Sequence, residues 1–96
     1  MVGGLKIIQV KKGHEADLER LFAELRSEMH THEPGCRLYS LLKSRTKPGA
    51  YIVHEQYDDQ AALDAHQESA HGVRYFPIMR AIIEKIDVEY FDGVVD

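Results

Sequence analysis

The chain is poor in the residues that staple, anchor or strongly charge a protein. It has a single cysteine, Cys36, so no internal disulfide can form, which rules out a stapled secreted scaffold and suits a reducing compartment. No apolar run approaches the ~20 residues needed to span a bilayer, and Met1 to Lys12 lacks the long apolar core of a secretory signal. A soluble cytoplasmic protein without a membrane partner is the expectation. Basic residues are outnumbered, 12 against 16 acidic ones, for a formal charge of -4. No broad positive surface is therefore expected, and nucleic acid is excluded as a partner. A glycine-rich phosphate loop is also missing, since Gly3-Gly4 precedes the first strand and leads into no helix; no nucleotide or flavin site is readable.

What remains is an ordinary globular composition, 44% hydrophobic and 29% charged, in 96 residues. That length supports one hydrophobic core, so residues 1–96 are read as a single domain. Leu5 to Val10 reads as a first strand closed by Lys11-Lys12-Gly13. Leu18, Leu21, Phe22, Leu25 and Met29 then recur at three- and four-residue spacing among charged residues, as an amphipathic helix requires, until Glu33-Pro34-Gly35 stops it. Cys36 to Lys43 and Tyr51 to Tyr57 read as a hairpin around Lys47-Pro48-Gly49. Asp58 or Asp59 is placed to cap a helix beginning near Gln60, and Gly72 is expected to interrupt it. A further helix from about Val73, with Pro77 in its first turn and Val73, Phe76, Arg80 and Ile83 along one side, leads to a last strand over Ile86 to Phe91.

The order predicts an α+β, ferredoxin-like βαββαβ fold, with a four-stranded antiparallel sheet and helices on one face. Both alternating sets of strand residues are apolar, Leu5 and Ile7 against Ile8 and Val10, so the second face needs a cover. A homodimer through that uncovered face is the simplest solution.

The six histidines invite a metal reading, which their spacing does not support. His66 and His71 lie five apart, about 140° on a continuous helix, and His54-Glu55-Gln56-Tyr57-Asp58 is not a His-Glu-x-x-His motif. No metal is expected. His30 and His32 read as solvated residues favoured near a helix C-terminus. His66 shares its side with Ala62, Leu63, Ser69 and Ala70 and looks inward, either as a core imidazole bonded to the sheet, with Glu55 as a candidate partner, or as an acid-base group. His71 either closes the helix or serves likewise. Glu55 alternates with Tyr51, Val53 and Tyr57 on one sheet face and needs a partner there, to tie helix to sheet or to act in catalysis. Tyr39 and Arg37 share a face of the neighbouring strand and offer a phenol and a cation; Cys36 reads as a buried small residue.

Glu33-Pro34-Gly35-Cys36 leading to Tyr39, Tyr51, then Glu55-Gln56-Tyr57-Asp58-Asp59, Ala61-Ala62-Leu63, His66, Ser69 and His71 together resemble the antibiotic biosynthesis monooxygenase domain family of dimeric α/β barrels. The resemblance implies sheet-to-sheet dimers with a small cavity between sheet and helices in each protomer. It also implies oxygenation of a small phenol, anthrone or quinol without any cofactor. His66 or His71 would be the base, Glu55 would orient a histidine, Tyr39 or Arg37 would stabilise the anion, and Tyr51 and Tyr57 would complete the substrate contacts. Haem-degrading relatives use a pocket tryptophan, and this chain has none. An isomerase acting on a small carbonyl or sugar-phosphate-like signalling molecule, and a non-catalytic dimeric ligand-binding module, are the alternatives the same resemblance leaves open.

Overall fold

The sheet is built around the first strand. In the computed structural model, which describes residues 1–95, β1 (Val2–Val10) lies between β3 (Ala50–Tyr57) and β4 (Ile83–Asp92), with β2 (Cys36–Lys43) at the edge beyond β3. All three pairings are antiparallel. Helices α1 (Glu15–His32), α2 (Gln60–Gln67) and α3 (Ala70–Ile82) complete the order, and the predicted βαββαβ, α+β fold is observed. β1 starts three residues before its predicted beginning, because Gly3 and Gly4 pair with both neighbouring strands, and β4 is likewise longer at both ends.

Period decides burial in α1 and β3. Leu18, Leu21, Phe22, Leu25 and Met29 of α1 are all buried, as their spacing predicted, and pack on Ile8, Val10, Tyr39, Tyr51 and Val53 of the sheet and Tyr75 and Met79 of α3. A smaller cluster joins Val2, Tyr57 and Leu63 at the other end of the sheet. Strand residues of opposite parity face the other way. Leu42, Ile52 and Ile7 align as partners across three strands into one apolar row, and Ile7 and Leu42 are 54% and 49% exposed.

Three sequence expectations fail in the second half. The helical stretch breaks at Glu68–Ser69 and not at Gly72: the Ser69 hydroxyl accepts the Gly72 amide at 3.1 Å and donates to the His66 carbonyl at 2.7 Å, so it ends one helix and caps the next. Pro77 consequently sits inside α3, where its missing amide removes one bond from the ladder, and not in a first turn. The face of α3 that turns inward carries His71, Tyr75 and Met79, while Val73 and Arg80 are exposed.

Candidate active site

The turn after α1 and the break between α2 and α3 converge on one carboxylate. Glu33 is the C-cap of α1, its backbone amide bonded to the Met29 carbonyl at 2.8 Å. Pro34-Gly35 then reverses the chain so closely beneath α2 that a Cβ on Gly35 would stand 2.7 Å from the Ala62 methyl. That approach delivers the Glu33 side chain to two histidines. Both of its oxygens lie 3.0 Å from His66 Nδ1, and Oε2 also bonds His71 Nε2. All three side chains are buried. An ionised carboxylate can only accept, so the ring nitrogens facing Glu33 carry the protons, and His66 Nε2 is left with its lone pair.

This overturns the geometric argument against bringing the two rings together. Five residues separate them by about 140° only on a continuous helix; the Ser69 cap starts a new axis, and both rings meet the same carboxylate. Asp59, by contrast, caps α2 as expected, accepting the Ala62 amide at 2.9 Å.

His66 is 1% exposed and enclosed by aromatic rings, with centroids of Tyr39, Tyr57 and Phe76 at 5.3, 5.4 and 5.2 Å. Its Nε2 is buried and has no hydrogen-bond partner. Burial pushes the ring below the ordinary imidazole range against the opposing pull of the Glu33 hydrogen bond and charge, which favours the neutral, basic form. Tyr39 stacks on Phe22 at 4.8 Å, and burial foremost, then the Glu55 and Glu33 charges, push its phenol well above its usual value. It stays a proton donor.

Glu55 faces inward with Tyr51, Val53 and Tyr57, as strand alternation predicts, and is 0% exposed. Its Oε1 accepts from the Tyr57 hydroxyl at 3.3 Å; its Oε2 has the Lys6 ammonium 3.2 Å away, without a well-directed hydrogen bond. The carboxylate bonded to the histidines is thus Glu33, and Glu55 pairs within the sheet. Arg37 is exposed and donates to Asp58 at 2.6 Å, because a register shift between Cys36 and Leu38 breaks the alternation that would have put it beside Tyr39. Tyr51 lies away from His66, its hydroxyl donating to Glu19 of α1 at 2.5 Å. His54 is exposed on the open sheet face.

Two cavities flank the cluster. One of about 750 Å³ opens between the end of α1, the Pro34-Gly35 turn and α2–α3, with Glu33, His71, Cys36, His32 and Arg74 on its walls. The other, about 410 Å³, lies between the sheet and α3 and is lined by Lys6, Tyr39, Phe76, Met79, Ile86 and Val88. Tyr39 and Phe76 touch both this cavity and the His66 ring.

The sequence pattern of the antibiotic biosynthesis monooxygenase family matches residues 1–77. The chain belongs to that family. A Caulobacter crescentus protein provisionally named an antibiotic biosynthesis monooxygenase shares 28% identity and superimposes with a TM-score of 0.92, covering 98% of this chain and 90% of that one. Another antibiotic biosynthesis monooxygenase structure is 28% identical over 99% of this chain and 100% of that one, with a TM-score of 0.85. The Pseudomonas aeruginosa protein PA3566 gives 26%, 98% and 94%, and 0.84. No curated protein matches the chain. Within the family pattern fall Glu33, His66 and His71, whereas β4, which closes the second cavity with Ile86 and Val88, lies beyond it. Among the described residues no helix is long and apolar enough to cross a membrane.

Lys6, Glu33 and Phe76 are the site residues to which the sequence alone assigned no role in the site. Only Glu33 left a signal: a carboxylate at a helix C-terminus is electrostatically misplaced and needs a cationic or N–H partner. The surroundings of Cys36 do not activate its thiol as a nucleophile. Its thiol donates to the Leu38 carbonyl at 3.4 Å, and burial, followed by the Glu33 charge, raises it to about 11. Alkylation by iodoacetamide at pH 8 is expected to run on the order of 100-fold slower than for a free thiol with pKa near 8.5; labelling at the free-thiol rate would contradict this environment.

Proposed function

We propose that this chain is a cofactor-independent monooxygenase of small electron-rich phenols, quinols or anthrones, with the substrate in the cavity between sheet and α3. One observation carries the reading: a buried imidazole, oriented by Glu33 through Nδ1, keeps an unpartnered Nε2 among rings that line that cavity. His66 takes the acidic proton of the substrate, and the resulting anion is the electron donor to oxygen. For an anthrone, the methylene becomes a carbonyl and the second oxygen atom leaves as water, so no external reductant is required. The Tyr39 phenol, and the Lys6 ammonium held in place by Glu55, stand on the cavity wall to stabilise the oxyanion as it develops. Apart from Arg80 the rest of the wall is apolar, which limits competing water.

Oxygen-electrode screening of purified protein against quinols and anthrones tests the reading. Uptake that depends on substrate and protein supports it. No uptake across the panel, with turnover of a small carbonyl compound instead, moves the same base to isomerase chemistry.

The reading includes a homodimer through the open sheet face, supported by the Leu42–Ile52–Ile7 row. Light scattering is expected to return twice the 11.0 kDa chain mass, and Ile7→Asp to shift it toward one chain. A wild-type monomer at micromolar concentration would refute it.

A further inference from the structure

We infer that Glu33, His66 and His71 form a binding site for a divalent first-row transition ion of the Zn²⁺ or Co²⁺ class. The candidate ligand atoms, one carboxylate oxygen and one nitrogen from each ring, all lie within 4.8 Å of one another. Two ligands each ~2.1 Å from one ion stand at most about 4.2 Å apart, so small side-chain rotations complete the set. Two imidazoles and one carboxylate suit zinc, cobalt or ferrous iron; calcium and magnesium would call for more oxygen ligands. The cluster also has what an occupied site needs around it. Glu33 and His71 form part of the wall of the 750 Å³ cavity, which gives an ion a way in and leaves room for water on the open coordination positions.

The three residues come from the end of α1, from α2 and from the first turn of α3, so the site exists only in the folded chain. An ion on His66 Nδ1 would displace the ring proton to Nε2, the atom that serves as base in the metal-free protein. Ion and free base are alternative states of one ring. The binding test stands on the ligand geometry alone and does not require the oxygenase reading to hold.

The experiment is titration of the chelator-treated full chain with Co²⁺, followed by visible absorption and calorimetry. One ion per chain is expected, with ligand-field bands that are bleached by Zn²⁺. Glu33→Gln and His71→Ala are each expected to weaken binding by more than the roughly 10–100-fold that loss of an outer-shell partner costs. His54→Ala, on the open sheet face, should leave it unchanged. Circular dichroism identifies a variant that fails to fold, and the other then decides. The inference is overturned by no binding at millimolar Co²⁺, by binding that survives in folded Glu33→Gln or His71→Ala, or by loss of binding in His54→Ala.

Discussion

Oxygen uptake with a turned-over quinol or anthrone is expected to fall about 10²–10⁴-fold in His66→Ala, the range that removal of a positioned general base covers. The size follows from the isolation of the ring. Among the described residues, His66 Nε2 and Glu55 Oε2 are the buried side-chain polar atoms without a hydrogen-bond partner, and Glu55 has an ammonium beside it. Among the described residues no other buried side-chain nitrogen is left without a hydrogen-bond partner. His66→Asn is the stricter variant, because its amide can still donate to Glu33 while offering no basic nitrogen. Glu33→Gln should cost less: it keeps an acceptor for Nδ1–H but loses the charge that stabilises the imidazolium as it forms. Steady-state uptake by the three variants, each checked for native circular dichroism, gives the ranking. Activity within a few-fold of wild type in both His66 variants would remove this residue as the base, and survival in His71→Ala as well would remove histidine base catalysis altogether.

A second large effect is expected in the sheet. Lys6→Met strips the ammonium that stands 3.2 Å from the Glu55 carboxylate, which is fully buried. Breaking a buried pair by removing one partner typically costs about 3–5 kcal/mol, because the remaining charge is left uncompensated. The double variant Lys6→Met/Glu55→Leu should recover most of that loss, since apolar replacement of both members of a buried pair is often neutral or favourable. Glu55→Ala would be a poorer choice, as it leaves a void beneath Tyr57. Urea denaturation of the two single variants and the double one closes the cycle. If Lys6→Met loses less than about 1 kcal/mol, or if the double variant is no better than the single, Glu55 does not depend on Lys6 for its place in the core.

How far the chain could be read without coordinates differs between its two halves. α1 was legible from Leu18 to Met29 because a 3.6-residue period reports directly which face is buried, and β2 and β3 were legible because the Pro48-Gly49 turn fixes a hairpin between two apolar runs. From Gln60 onward, local pattern gave way to tertiary geometry. Ser69 was visible as a polar residue in an alanine-rich stretch, but only the folded chain shows it bonding both the end of α2 and the start of α3. That single cap moves His71 beside His66. Glu33 was seen as part of a helix stop, and its second role depends on how closely Gly35 lets the turn approach Ala62, a distance no local pattern contains. Arg37 was misplaced for a similar reason, since a strand irregularity near Cys36 changes parity without marking the sequence.

The central position of β1 has a consequence for the birth of the molecule. Val2 pairs with Asp92, so the earliest-made strand of this sheet is completed by the latest-made one. Contacts of such long sequence separation slow folding, and the nascent sheet must wait with one flank of β1 unpaired until β4 emerges. During that interval Ile8 and Val10 have neighbours on one side only, and an exposed, unpaired strand is a template for wrong partners. The pairing that completes the sheet thus comes from β4, which lies outside the matched family pattern.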